Sequence, residues 1–252
     1  YGYKTSITGV TVSTAFEQYE DFYFSPEISA LYESLSTSAS ASDAYQKQKG
    51  DYFDTTFSYG LTYDKRDQVY QPTSGFKSSF KQSLPVISDG YALVNSYEYK
   101  HYKELFNDMI GSFTFYGKVI NSLSDKDVRV SKRLFMPGNR LRGFEIGKVG
   151  PTENGDFIGG NFVSAINFAT TLPKFLPEVQ NADFKLFFDM GNIWGVDYSD
   201  TIDDSSTIRS AAGLAIDWFT PVGPLNFSFS QPITKASTDK TETFRFNLGT
   251  TF

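Results

Sequence analysis

The chain has 252 residues, a formal net charge of -6 and an isoelectric point of about 4.9, so nucleic acid is not expected among its partners. It has no cysteine and one histidine, which excludes a disulfide framework, a thiolate metal site and a zinc site with several histidines. Aromatic residues make up 17% of the chain although the mean hydropathy is only -0.32, and no apolar run approaches the ~18 residues of a transmembrane helix. This composition suits strands with one apolar face, in either a soluble β-sandwich or a membrane β-barrel, and we predict no metal site and no cofactor.

Alternating apolar and polar residues mark eleven candidate strands, and no segment reads as an amphipathic helix. In residues 53–63, for example, aromatic and aliphatic side chains occupy most alternate positions, the period expected of a strand with one apolar face. Most candidates are ten to fifteen residues long, which exceeds the typical soluble strand and suits a tilted crossing of a bilayer. In chain order they lie near 4–18, 21–36, 53–63, 74–86, 91–105, 110–123, 162–172, 184–190, 208–220, 225–230 and 244–252.

The connections between these candidates fall into two classes of length. Short turns at one end of a sheet and long polar loops at the other are typical of outer-membrane barrels, and we assign the two classes to opposite ends. The short connections lie at 19–21, 69–74, 85–90, 105–108 and 221–224, and the long ones at 37–50, 124–160 and 195–207.

Charged residues on the polar faces of the strands favour the barrel over the sandwich. Lys185, Asp189 and Arg245 would be buried in a packed core, where each costs several kcal/mol if it has no partner, whereas a hydrated lumen accepts them at little cost. With lipid outside, the backbone N–H and C=O groups must pair between strands. We therefore predict an all-β fold, a transmembrane antiparallel β-barrel.

The number of candidate strands bears on how much of a barrel is present. Bacterial single-chain barrels have an even number of strands, whereas eleven is odd, and Tyr1 already lies in a strand-like pattern. We interpret residues 1–252 as a single partial barrel domain, the C-terminal part of a larger barrel.

A glycine-rich segment, residues 136–151, interrupts the alternation with the run Leu141, Arg142, Gly143 and Phe144. C-terminal to it follow FFDMGNIWG, SAAGLAIDWFTPVGPLNFSFSQPI and the final FRFNLGTTF. In this order the segments resemble the BamA family, bacterial outer-membrane proteins of the POTRA-plus-barrel surface-antigen superfamily that insert other β-barrels. The resemblance runs from about residue 50 to the end of the chain and more weakly over its beginning.

The resemblance implies that the loop 124–160 folds back into the barrel lumen. There Arg142 is expected to pair with acidic side chains of the inner wall, and Asp189 falls on the polar face of its strand. Where the family usually has another acidic residue this sequence has Asn167, which would add only a neutral hydrogen bond. Phe144 is expected to act as a packing wedge rather than as a substrate contact.

The resemblance also implies a barrel of sixteen strands preceded by periplasmic POTRA domains, so that five strands and those domains would lie upstream of Tyr1. In the family the last strand forms a weak seam with the first, and this seam opens sideways into lipid. Gly249 would weaken the closing strand and help the seam to part. The residues assigned to this strand are Phe244, Phe246, Leu248, Gly249 and Phe252.

The function implied is that of an assembly factor, not an enzyme, which folds and inserts β-barrel proteins into the outer membrane of a Gram-negative bacterium. Its expected partners are nascent outer-membrane β-barrel proteins, the lipid bilayer and lipoprotein subunits that dock mainly on the POTRA domains. A TamA-like translocation factor or a two-partner secretion transporter would share the loop motif, and a passive porin is a weaker alternative. An enzyme barrel is disfavoured by the single histidine and the lack of a serine-centred motif.

Overall fold

The computed structural model describes residues 3–39, 41–106, 108–173, 182–197, 202, 207–220 and 223–248. Gly249 and Phe252 of the predicted closing strand lie outside these residues. The described part is almost wholly β-structure, with one short helix at Asp43–Gln46 and a 3-10 turn at Val130–Lys132. None of its helices is long and apolar enough to cross a membrane.

Fourteen strands follow one another along the described part of the chain. They are β1 Tyr3–Ser13, β2 Phe16–Tyr19, β3 Phe22–Thr37, β4 Gly50–Asp64, β5 Gly75–Ser88, β6 Ala92–Phe106, β7 Met109–Ser122, β8 Thr152–Glu153, β9 Asp156–Phe157, β10 Phe162–Thr171, β11 Ala182–Trp194, β12 Arg209–Thr220, β13 Gly223–Thr234 and β14 Phe244–Leu248.

Twelve of these strands form one antiparallel sheet in the order β1-β3-β4-β5-β6-β7-β10-β11-β12-β13-β14, with β2 paired to β3. The strands β8 and β9 form a separate hairpin. Among the described residues β1 and β14 each pair with one neighbour, so the sheet is open. The all-β antiparallel fold is therefore confirmed, and every candidate strand corresponds to a strand of this sheet.

Two details of the predicted layout are wrong. The candidate 4–18 is not one strand, because β1 ends at Ser13 and β2 begins at Phe16. The break lies opposite Pro26 of β3, which has no backbone N–H to donate to the ladder. The short connection at 85–90 also does not lie with the other short turns. It joins β5 to β6 at the end where the long connections follow β3 and β7, because antiparallel strands alternate in direction.

The two faces of the sheet differ in polarity as the alternation predicts. Phe168, Leu186 and Phe229 point outward and remain exposed, whereas Asp54 and Ser228 are buried on the inner face. The segment 124–160 contacts strands from β3 to β14, which requires the sheet to curve around it. An apolar outer face and a polar inner face filled by one loop are the arrangement of a membrane barrel wall.

Candidate functional site

The candidate site is the loop 124–160 on the inner face of the sheet, hereafter the lumen loop. Apart from the 3-10 turn and the β8–β9 hairpin it has no regular structure. Its apolar side chains pack against the inner faces of β7, β10, β11 and β12 in one cluster with a buried core. The loop members of this cluster are Val128, Leu134, Met136, Leu141, Phe144 and Val149.

Arg142 and Asp189 form a bidentate ion pair inside this structure. Arg142 donates from Nε to Asp189 Oδ2 and from Nη2 to Oδ1, both at 2.7 Å, and its backbone N–H donates to Oδ2 at 3.1 Å. The Asp189 carboxylate is 0% exposed, and the guanidinium lies 3.5 Å from the centre of the Phe187 ring. Two parallel charge-assisted hydrogen bonds fix both the distance and the orientation of the pair.

Asn167 completes the surroundings of the buried carboxylate. Its Nδ2 donates to Asp189 Oδ1 at 2.9 Å and to the carbonyl of Arg140 at 2.8 Å. Asn167 stands directly opposite Asp189 in the β10–β11 register, so a carboxylate there would face Asp189 as a like charge. The amide instead links the wall to the loop without a second negative charge.

The three residues Arg140, Leu141 and Arg142 point in different directions. Leu141 is buried in the apolar cluster, whereas Arg140 forms an ion pair with Glu98 of β6 and lies 5.5 Å from the centre of the Tyr116 ring. The two arginines therefore reach different strands of the inner wall, β6 and β11, which are separated by β7 and β10. Two arginines flanking a leucine thus attach one segment of loop to two parts of the wall.

Gly143 lets the chain pass close to the inner wall after Arg142. Its φ is +89°, a region that L-residues rarely adopt, and a Cβ would lie 3.1 Å from Ala211 Cβ and 3.2 Å from Ser230 Cβ. Phe144 follows as an almost fully buried side chain. Its backbone forms an isolated bridge with Thr241, which belongs to the connection that precedes β14.

The last described strand is attached to the lumen loop from the inside. Arg245 of β14 donates to the carbonyls of Gly138 and Phe144, and it also pairs with Glu242. On the outer face Phe244, Phe246 and Leu248 lie opposite the apolar residues of β13. The ring centres of Phe227 and Phe246 are 5.1 Å apart.

A second set of charges holds the beginning of the lumen loop against β3 and β4. Arg129 forms ion pairs with Asp54 and, at 3.4 Å from Nε to Oε2, with Glu33, and its guanidinium lies 4.1 Å from the centre of the Tyr52 ring. Lys132 Nζ lies 3.3 Å from Asp54 Oδ2. The side chains of Arg129, Glu33 and Asp54 are each less than a tenth exposed.

A third attachment lies near the end of β11. Arg133 pairs with Asp197 and donates to Asn161 Oδ1 at 3.1 Å, while Asp197 Oδ2 accepts from the backbone of Val128 at 2.9 Å. Burial acts to raise the pKa of Asp197, but the Val128 hydrogen bond and the charge of Arg133 outweigh it and leave this pKa below its ordinary value. The Asp197 carboxylate is therefore ionised in the folded protein near neutral pH.

A profile of the Omp85 superfamily domain matches residues 1–252. The chain belongs to the Omp85 superfamily. Its curated relatives include the outer membrane protein assembly factor BamA of Neorickettsia risticii, 24% identical over 256 residues that cover 99% of this chain and 34% of the relative. BamA of Neisseria meningitidis is 31% identical over 144 residues, 44% of this chain and 17% of the relative.

Relatives of this Omp85 chain also occur in animals. The sorting and assembly machinery component 50 homolog of Homo sapiens is 26% identical over 174 residues, 65% of this chain and 36% of the relative. This chain spans about a third of the length of the Neorickettsia risticii BamA, the relative that matches almost all of it.

Solved structures share the fold of this Omp85 chain. BamA from Haemophilus ducreyi lacking POTRA domains 1-3 superposes with a TM-score of 0.86 at 23% identity, over 97% of this chain and 54% of that one. CdiB from Acinetobacter baumannii gives 0.62 at 12% identity, over 98% and 42%. At these identities the likeness concerns the fold alone.

Several residues of the site are not predicted by the sequence pattern. Arg129 stands in a loop without a recognisable motif, and its partners Asp54 and Glu33 lie 75 and 96 positions away. The sequence feature that could have revealed this attachment is the position of Asp54 on the polar face of the regularly alternating segment 53–63. Arg245 shows a similar signal, because it alternates with Phe244 and Phe246 on the last strand.

Proposed function

We propose that this chain is the barrel part of an outer-membrane protein assembly factor, which folds and inserts β-barrel proteins into the outer membrane of a Gram-negative bacterium through a lateral seam. The printed names of the BamA and component 50 relatives support assembly as the function. We further propose that residues 1–252 are one partial barrel domain, and that the remaining strands and POTRA domains belong to a longer protein.

The observation that carries the proposal is the link between the lumen loop and the edge strand. Arg142 fixes the loop to Asp189 of β11, and Arg245 of β14 binds the carbonyls of Gly138 and Phe144 in the same loop. The loop therefore holds the inner side of the last described strand, which in the proposed barrel forms one side of the seam. A passive pore has no need for such a connection.

The proposed mechanism uses the free backbone of the seam. A strand edge presents N–H and C=O groups that pair readily with another strand. When the seam opens, β14 or the first strand of the barrel therefore offers a template to an incoming client. Pairing there satisfies the backbone of the client before it meets hydrocarbon, where each bare polar group costs several kcal/mol. The free energy comes from folding of the client, so no covalent chemistry and no catalytic residue are required.

The partners proposed are nascent outer-membrane β-barrel proteins, the lipid bilayer and lipoprotein subunits that dock on the upstream domains. A two-partner secretion transporter is the second candidate among barrels with the same loop motif. The likeness to CdiB, with a TM-score of 0.62, is weaker than the 0.86 found for the BamA barrel.

A covalent seam tests the proposal in the full-length protein reconstituted in liposomes. The chain has no native cysteine, so Asn247→Cys can be paired with one new cysteine on the first strand of the barrel. We expect oxidation to abolish client insertion and reduction to restore it. Client insertion is measured by the heat-modifiable gel migration of the folded client. The matched control is the pair Ser58→Cys and Ser83→Cys, which are direct neighbours on β4 and β5 and lie away from the seam.

Full client insertion with the oxidised seam would refute the lateral route. Transport of a soluble passenger across the membrane, with no client insertion in either redox state, would favour the secretion transporter.

A further inference from the structure

A polar chamber of about 350 Å³ lies between the lumen loop and the end of the sheet where β4 turns into β5. The chamber is lined by the parts of β5, β6, β7 and β10–β14 that lie toward this end of the sheet, and by the connection 65–74. Gln71 of that connection reaches across the end and donates to Asp183 Oδ2 of β11 at 2.7 Å. The chamber is thus covered on one side by the lumen loop and on the other by this connection.

The lining of the chamber is strongly cationic. One carboxylate, Asp217, accompanies seven basic side chains among its lining residues. The whole chain carries a net charge of -6, so the local excess does not follow from composition. Charges enclosed by low-dielectric walls focus their field and raise the local concentration of counter-ions. The basic residues are Arg66, Lys77, Lys100, Arg140, Arg142, Lys185 and Arg245.

Two of these cations are direct cross-strand neighbours, and Asp64 of β4 stands opposite Lys77 on its other side. Lys77 of β5 is the direct cross-strand neighbour of Lys100 of β6, and like charges in this position destabilise a sheet. Lys100 lies 3.1 Å from Glu98, which Arg140 shares. No ion pair of Lys77 is found among the described residues.

The other nearby acid is already occupied. Asp64 accepts two hydrogen bonds from Arg66, at 2.8 Å from Nε and 2.7 Å from Nη2. Four cations therefore share two carboxylates along one side of the chamber, which leaves two positive charges without a counter-charge. An anion held between Lys77 and Lys100 would relieve this repulsion.

The neutral part of the lining suits a hydrophilic ligand rather than an acyl chain. Hydroxyl and amide groups form much of the remaining wall, beside the small apolar side chains of Ala169 and Ala215 and those of Val69 and Pro72. On the β13 side of the chamber the Ser228 hydroxyl is buried with no hydrogen-bond partner among the described residues. A buried hydroxyl without a partner is costly and can donate to an oxyanion. The neutral groups are Ser112, Thr114, Asn139, Asn167, Asn226, Ser228 and Asn247.

We propose that this chamber binds an oxyanion, a carboxylate or phosphate group of a hydrophilic ligand, between Lys77 and Lys100. Lysine suits this task because its ammonium donates to an oxyanion as a compact charge. The proposed ligands Lys77 and Lys100 take no part in the Arg142–Asp189 pair, although Arg142 lines the same chamber, and the site does not depend on the assembly function proposed above.

Thermal unfolding of the full-length protein in detergent tests the site without any assembly assay. Sodium phosphate and a triglutamate peptide are titrated separately at constant ionic strength against sodium chloride. We expect at least one of them to raise Tm with a saturable dose dependence, because a ligand that binds the folded state stabilises it. Stabilisation by the peptide alone identifies a polypeptide carboxylate as the ligand group, whereas stabilisation by phosphate identifies a small or phosphate-borne anion.

The variant Lys77→Gln distinguishes a binding lysine from a structural one. We expect it to weaken anion binding at least about tenfold, and at low ionic strength without anion to keep or raise Tm, because it removes the repulsion with Lys100. Lys118→Gln is the control, since Lys118 is another inward lysine that does not line the chamber. A Tm that neither anion raises above the chloride value would overturn the proposal. A lower Tm of Lys77→Gln in the absence of anion would do so as well.

Discussion

Replacing Arg142 by alanine should destabilise the folded barrel by about 3–5 kcal/mol, because it leaves a buried charge without its partner. Asp189 is 0% exposed and accepts two charge-assisted hydrogen bonds from the Arg142 side chain, both at 2.7 Å. The variant retains the backbone N–H at position 142 and the amide of Asn167 as donors, but neither carries a charge. The contact of the guanidinium with the Phe187 ring is lost as well.

Arg140→Ala is the matched control on the same segment of loop. Its partner Glu98 has a side chain that is 25% exposed and keeps Lys100 as a second cation. Partly exposed pairs contribute about 1 kcal/mol or less. We therefore expect Arg142→Ala to cost at least about 2 kcal/mol more than Arg140→Ala. Arg142→Lys should fall between the parent and alanine, since it keeps the charge and loses the fork of two donors.

Urea unfolding of the full-length protein in detergent measures these differences, with the fluorescence of Trp194 and Trp218 as the signal. The double variant Arg142→Ala with Asp189→Ala should be less destabilised than the sum of the two single variants, because it removes the isolated charge. Equal and small shifts for Arg142→Ala and Arg140→Ala would refute the assignment of Arg142 as the anchor. Strict additivity in the cycle would do the same.

Three further predictions concern the path and the other attachments of the lumen loop. Gly143→Ala should destabilise by about 1–3 kcal/mol in the same unfolding assay, because its φ of +89° and the 3.1 Å approach to Ala211 both oppose a Cβ; an unchanged midpoint would contradict this. Arg129→Ala should cost about 3 kcal/mol or more by leaving Asp54 with Lys132 as its remaining cation, and Arg129→Lys should restore part of the loss. The pKa of Asp197 lies below its ordinary 3.8, so its contribution is present above pH 3.8 and disappears as the pH falls through the lowered value. The stability difference between parent and Asp197→Asn should therefore be constant from about pH 5 to 8 and shrink in stronger acid.

The strands of this fold are predictable because lipid outside and water inside impose opposite polarity on alternate residues. The segment 53–63 shows this pattern clearly, and it forms the larger part of β4. The break after Ser13 was not predicted, because it depends on Pro26 of the neighbouring strand β3 rather than on local composition. The strand β2 pairs with the part of β3 that precedes Pro26. Which end of the sheet a short turn occupies is likewise set by the number of strands before it, as the connection from β5 to β6 illustrates.

The attachments of the lumen loop are harder to predict than the strands. A loop of this length can reach many points of the inner wall, and alternation shows only that Asp54 and Asp189 point inward. The pairing of Arg142 with Asp189 is expected from the family resemblance, whereas the pairing of Arg129 with Asp54 depends on the path of the loop through the lumen. Charge and burial predict that such residues need partners, and only the three-dimensional path decides which.

The attachments lie at positions that connect distant parts of the sheet. Arg129 binds β3 and β4, and Arg142 binds β11. Arg245 of β14 binds the loop backbone at Gly138 and Phe144, on either side of Arg142. Among the described residues β14 pairs with β13 over Phe244–Leu248, and the contacts of Arg245 add to this pairing in fixing the position of the strand. Movement of the edge strand then requires either that Arg245 release two carbonyls or that the loop move with it. Because buried ion pairs hold the loop at Arg129 and Arg142, release of Arg245 is the less costly route, and in the proposed mechanism the seam would part while the loop stays in place.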